Sequence, residues 1–288
     1  LINALKNFID YLQTTETLSD IENNEQIYNI VINCLDTPQY TMISDPIKKH
    51  HCLQVLLLLS TRIPIGNLKK FIDKILTRAL SKQADALLSD YSLLMVDIFS
   101  ALVNSDKARQ ETYIKYAAQR CLEEIYPRVE SSSMSSNTPP LMILTSLIEN
   151  LGTLLTDKQF SNLYDKMISL IENKNLGSGK ISYASDLSSL AKIWAVYVNP
   201  DLLQKFIKAL INQINKESPL AFTVFTTLVI SNPLSFSSNI NFLIDLYFNK
   251  ADLLVQKGLD ASSEEIKEAE ASINALNAVI CAFAKWFV

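Results

Sequence analysis

Two histidines and a cysteine stand side by side in this chain, His50-His51-Cys52, and these are the only histidines it has. Imidazole and thiolate together can hold zinc or run nucleophilic chemistry. The spacing defeats both. Adjacent residues on a helix point about 100° apart, so they cannot share one ion or act on one another. The chain has neither a Cys-X-X-Cys nor a His-Glu-X-X-His pattern to supply further tetrahedral ligands. The expectation is one exposed and one partly packed histidine near the start of a core helix, with no metal and no cofactor.

Other chemistry meets similar obstacles. Gly177-Ser178-Gly179-Lys180 is too short for the Gly-X4-Gly-Lys-Ser/Thr phosphate loop, and no buried strand precedes it. It reads as a connector. No Gly-X-Ser-X-Gly elbow exists. The carboxylate pairs Glu123-Glu124 and Glu264-Glu265, and Glu268 with Glu270, fall on faces expected to be solvated. Solvated carboxylates keep ordinary pKa values and suit solubility rather than acid catalysis. The expectation is that the chain is not an enzyme. An enzyme built on helices would instead need a deep pocket with several ionisable groups converging.

What remains is surface. In a helix near 67–80, Leu68, Phe71, Ile72, Ile75 and Leu76 form an apolar stripe, and Lys70, Lys74 and Arg78 follow at i, i+4 and i+8 on the opposite side. A helix near 200–215 buries Leu202, Leu203, Phe206, Leu210 and Ile214 and exposes Lys205, Lys208, Asn212 and Asn215. Basic tracks of this kind suit an acidic peptide. Lys70, Lys74, Arg78, Lys205 and Lys208 are therefore the candidate partner-binding residues, against the alternative of plain solvated faces.

The elements that must carry these residues are helices. Five glycines in 288 residues are too few for turn-dense β folds or glycine-looped nucleotide folds. Apolar residues recur at helical spacing almost throughout. Start signals come at short intervals: Asp45-Pro46, Thr138-Pro139 and Ser218-Pro219 each place a cap before a proline, and Ser262 with Glu265 fits a capping box. Asn67 precedes the apolar run of its helix, and Asn199-Pro200 separates two helical runs. Helices are expected near 1–13, 19–36, 45–62, 67–80, 86–103, 106–126, 139–153, 157–173, 185–198, 200–215, 219–231, 238–257 and 263–287. Taken in pairs, the first helices start near 45, 86, 139, 185, 219 and 263, a mean period of about 44 residues, inside the HEAT/armadillo range. The polar loops near 127–138, with Ser131 to Ser136, and near 173–184 read as loops within one domain over 1–288. Regulation of the serine loop by phosphorylation is the sharper of its two readings, and an unregulated loop is the plainer.

The chain thus resembles the HEAT/ARM-like helical-repeat superfamily, an α-solenoid of about six antiparallel helix pairs. The stretch from Ile273 to Trp286, with Ala275-Leu276, spaced aliphatics, Phe283 and Trp286, looks like karyopherin helices. The first resemblance implies a non-catalytic scaffold or adaptor that binds other proteins within a larger complex. The second implies a transport receptor fragment for cargo or a small GTPase. A nucleic-acid-associated scaffold is a variant of the first.

Charge and cysteines bound the setting. With 26 basic and 30 acidic residues the net charge is −4, which disfavours a dedicated nucleic-acid binder. Cys34, Cys52, Cys121 and Cys281 are far apart among apolar neighbours, which reads as reduced thiols. No Asn-X-Ser/Thr sequon occurs. Both observations favour the cytoplasm or nucleus. The longest dense apolar run, Cys52 to Ser60, is too short to span a bilayer. Apolar residues at both ends, Leu1 and Trp286-Phe287-Val288, suggest a piece of a longer chain. In the last helix Ile266, Ala269, Ile273, Leu276, Ile280, Phe283 and Phe287 alternate at three and four residues, as in a packed helix pair. That helix is expected to pack on the one before it, or, on the sharper reading, to dock or dimerise.

Overall fold

Proline and short polar caps set the helix starts. In a computed structural model that describes residues 2–14, 24–36, 46–80, 86–130, 139–172 and 181–284, the chain is all-helical, with no strand among these residues. The helices are α1 (Ile2–Thr14), α2 (Asn24–Asp36), α3 (Pro46–Arg62), α4 (Ile65–Ala79), α5 (Ala86–Leu102), α6 (Lys107–Glu130), α7 (Pro139–Leu151), α8 (Asp157–Glu172), α9 (Ile181–Tyr197), α10 (Pro200–Ile214), α11 (Pro219–Ser231), α12 (Ile240–Lys257) and α13 (Ser263–Phe283). Short 3-10 turns follow α7, α11 and α12. Asn199 Oδ1 accepts the Leu202 N–H at 2.9 Å, and Ser218 Oγ accepts the Ala221 N–H at 3.3 Å. Each satisfies an amide that a helix start leaves without a carbonyl. Ser262 and Glu265 form both bonds of the capping box.

Several boundaries differ from the periodic reading. α4 starts at Ile65, with Pro64 as its N-cap and no side-chain cap. Asn67 sits in the first turn and gives its N–H to the Pro64 carbonyl at 2.9 Å. α6 runs through Pro127 to Glu130. Proline removes one N–H there, but the residue four back, Glu123, is exposed, so water can take its carbonyl. α9 begins four residues before the expected 185, at Ile181. Residues 131–138 and 173–180, with the serine loop and Gly177 to Lys180, lie outside the described residues, as do Asp45, Thr138 and Trp286.

The chain divides into two compact units, Leu1–Thr156 and Asp157–Val288. The division falls at neither polar loop. In the first unit α1, α3, α5 and α7 follow one another in contact, and so do α2, α4 and α6. The pairs α2/α3, α4/α5 and α6/α7 join these two rows. In the second unit α9, α11 and α13 form one row, α8 packs on α10, and α8/α9, α10/α11 and α12/α13 make the cross-links. Within each unit most of these helices therefore pack on the next helix but one and on an adjacent one.

The core follows the apolar pattern. On α4, Leu68, Phe71, Ile72, Ile75 and Leu76 are all fully buried. Trp194 of α9 is fully buried and edges Phe206 of α10 at 5.2 Å between ring centres. Its Nε1–H donates to the Phe160 carbonyl of α8 at 3.1 Å, so the indole is both packed and satisfied. In α12, the buried Tyr247 hydroxyl bonds Thr226 Oγ1 of α11 at 3.2 Å. Among the described residues no single helix is long and apolar enough to cross a membrane. The most apolar one, α11, spends its Phe222, Val224, Phe225, Leu228 and Val229 on the core.

Candidate interaction surface

The helices that bury their apolar stripes leave the basic residues outside. Lys70, Lys74 and Arg78 are exposed on α4, as Lys205 and Lys208 are on α10. The first three belong to the first unit and the other two to the second. Lys70 Nζ pairs with Glu25 of α2 at 2.9 Å, both side chains being more than half exposed. Such a pair is weak and easily exchanged. Lys74 has no partner among the described residues, whereas Arg78 is engaged.

Two further lysines and a tyrosine join this surface. Lys69 of α4 and Lys115 of α6 hold their Nζ atoms 5.1 and 5.5 Å from the centre of the Tyr116 ring. The half-buried ring bridges α4 and α6 beneath two cations. In the second unit Lys205 Nζ lies 4.7 Å from the centre of the Tyr164 ring of α8. Burial, with Asp165 and Glu172 adding to it, pushes the Tyr164 phenol above its ordinary pKa. Periodicity within one helix finds Lys70 and Lys74 but not Tyr116, because the contact runs between helices. The available signal was the Lys115-Tyr116 dipeptide at the border of the apolar face of α6.

No family model, curated protein or solved structure matches the chain. The chemistry of the surface therefore rests on its own residues.

The residues that carried catalytic chemistry on paper are dispersed or paired. His50 is exposed and His51 half-buried, with ring centres 6.0 Å apart, and His51 Nδ1–H donates to the Ile47 carbonyl at 2.7 Å. Cys52 is fully buried in the α3 core. Among the described residues no three His, Cys, Asp or Glu side chains come together to hold a metal ion. A surface cleft between α12 and α13 is lined by Lys250, Leu253, Lys257, Glu265 and Glu268. Its charges are spent on each other: Lys250 pairs with Glu268 at 2.8 Å, and Lys257 pairs with Glu265. Glu265 departs from the expectation of ordinary carboxylates. The bonds from Lys257 first, then from the Ser262 backbone and hydroxyl, hold its pKa down at about 2. An acid so held is a cap, not a proton donor.

The last helix presents a second surface. The stripe of α13 that faces the fold is Ala269, Ser272, Ala275, Val279 and Phe283. Ile266, Ile273 and Ile280 stay exposed, the last two by more than half. The three-and-four alternation thus splits into an inner line and an outer one. The inner line packs on α11 and α12. Ser272 can sit inside because its hydroxyl donates to the Glu268 carbonyl at 2.7 Å. Phe287 lies outside the described residues.

Proposed function

We propose that each unit is a stretch of α-solenoid of the HEAT/ARM kind and that the chain is a non-catalytic scaffold that binds other proteins along its exposed helix faces. The observation that carries this reading is the pair of helix rows in the first unit, α1-α3-α5-α7 and α2-α4-α6. Contact with the next helix but one is what a stack of helix pairs requires. The sequential neighbours that pack in this unit are α2/α3, α4/α5 and α6/α7, so α3, α5 and α7 are the second members of the packed pairs, one helix out of phase with the pairing that counts them as first. Such a stack leaves long ridges of side chains on its outer faces, and recognition without chemistry needs only these. Cys52, Cys121 and Cys281 carry thiols and not disulfides, which supports a reducing compartment, the cytoplasm or nucleus.

The test is affinity purification of the chain from its own cells with cross-linking of bound partners. The reading expects partner proteins cross-linked to exposed residues of α2, α4, α6 or α10. Recovery of no partner, or turnover of a small-molecule substrate by the purified chain, overturns it.

A further inference from the structure

We propose that the exposed face shared by α4 and α6 docks an extended acidic segment of a partner protein. The inference rests on the scaffold reading and names the partner's chemistry. On α4 the exposed ionic residues are Lys69, Lys70, Lys74 and Arg78 against a single Asp73. This concentration stands on a chain whose net charge is −4, so it is not a general property of the surface.

The spacing fits an extended chain. Residues four apart on a helix rise about 6 Å. Alternate side chains of an extended peptide recur about every 6.6–6.8 Å. Carboxylates at every second position of a peptide can therefore meet Lys70, Lys74 and Arg78 in register. Glu25 already shows a carboxylate seated on Lys70 at 2.9 Å. Beside this line Tyr116 offers an apolar ring edge, and Lys69 and Lys115 hold two more cations over it.

A peptide suits this face better than a nucleic acid. A phosphate backbone carries charge at every step and needs an uninterrupted basic track. Here Asp73 interrupts α4, and Glu111, Glu123 and Glu124 interrupt the surface of α6. A polypeptide can place uncharged residues opposite those acids.

The experiment measures fluorescence anisotropy of a labelled peptide alternating Glu and Ser, titrated with the full chain. A Lys/Ser peptide and an oligothymidylate of the same length serve as controls. The variant is the double charge reversal Lys74→Glu with Lys115→Glu. Both positions are exposed, and circular dichroism with a thermal melt verifies that the variant folds. The expected result is salt-sensitive binding of the Glu/Ser peptide alone, weakened roughly tenfold or more in the double variant. No binding by the parent chain, or unchanged binding by a folded variant, overturns the proposal. Tighter binding of the oligothymidylate overturns it in favour of nucleic acid. If the peptide fails while cross-linked partner proteins are recovered, the scaffold reading stands and this face is not the docking surface. If the peptide binds this face and no partner protein is recovered, the acidic specificity stands and the scaffold reading falls.

Discussion

Arg109 donates from Nη1 to the Ser60 carbonyl at 3.0 Å, forty-nine positions away in the chain. The reason lies in the residue four beyond Ser60, which is Pro64. Proline has no N–H, so the Ser60 carbonyl at the end of α3 has no helical donor. The guanidinium of α6 supplies one, and the Tyr113 hydroxyl adds a second, longer bond at 3.4 Å. Asp106, at 3.3 Å from Nε, holds the Arg109 side chain in place. The sharp α3–α4 connection is thus completed by a helix that is remote in sequence.

Replacing Arg109 with Leu should therefore destabilise the first unit. A buried hydrogen bond to a charged group is worth about 1.5–3 kcal/mol, and its loss leaves a buried carbonyl with only the weaker Tyr113 bond. The midpoint of urea unfolding should fall accordingly. Tyr113→Phe should cost less, about 1 kcal/mol. An Arg109→Leu variant as stable as the parent chain would remove the guanidinium from this role.

Glu217 lies at φ 61°, in the left-handed region, at the end of α10. The Ser218 N–H reaches back to the Gln213 carbonyl at 3.1 Å, and the Glu217 N–H to Ile214 at 2.8 Å. These are the two bonds of a helix end that usually places glycine at the left-handed position. A side chain there costs about 1–2 kcal/mol, part of which glycine returns through its freer unfolded chain. Glu217→Gly should raise stability by about 0.5–1 kcal/mol in denaturant titration. A loss of stability would mean that the Glu217 side chain does more than occupy the turn.

The Glu265 cap makes the start of α13 acid-sensitive. Its pKa is about 2 in the fold against about 4.3 in a free chain. A depressed pKa contributes stability that is fully present above the unfolded value and is lost as pH falls through the folded one. Amide exchange at the first turn of α13 should therefore accelerate between about pH 4.3 and pH 2, relative to the end of the same helix. Glu265→Gln keeps an acceptor for the capping box but has no charge to titrate. The parent-minus-variant difference should vanish below that window. A constant difference across it would show that the ion pair with Lys257 does not matter in solution.

Much of this architecture was legible in the sequence, and the rest was hidden for physical reasons. The α4 stripe was readable because all five apolar residues follow one helical face. The caps at Ser218 and Ser262 were readable because the polar atom and the amide it satisfies are three residues apart. Arg109 and Tyr116 were not, because their partners are fixed by how helices stack and not by spacing within one helix. In α13 the prominent isoleucines misled, since the stripe that meets the fold is Ala269, Ser272, Ala275 and Val279, closed by Phe283.

That last point can be checked directly. Ala269, Ser272 and Ala275 are fully or almost fully buried, while Ile273 is 54% exposed. The side chains that α13 turns inward here are small, and the isoleucines turn outward. Ile273→Ala should therefore change stability by no more than about 0.5 kcal/mol, since it empties no packed space and alanine favours the helix. Val279→Ala should cost about 2 kcal/mol, because Val279 is 2% exposed and its methyl groups leave a gap. Inserting bulk should also be damaging. Ala275→Leu places three extra carbons where no space exists and should cost about 1–3 kcal/mol. The reverse order, with Ile273→Ala the most damaging of the three in urea unfolding, would mean that the isoleucine line and not the small-residue line faces the fold.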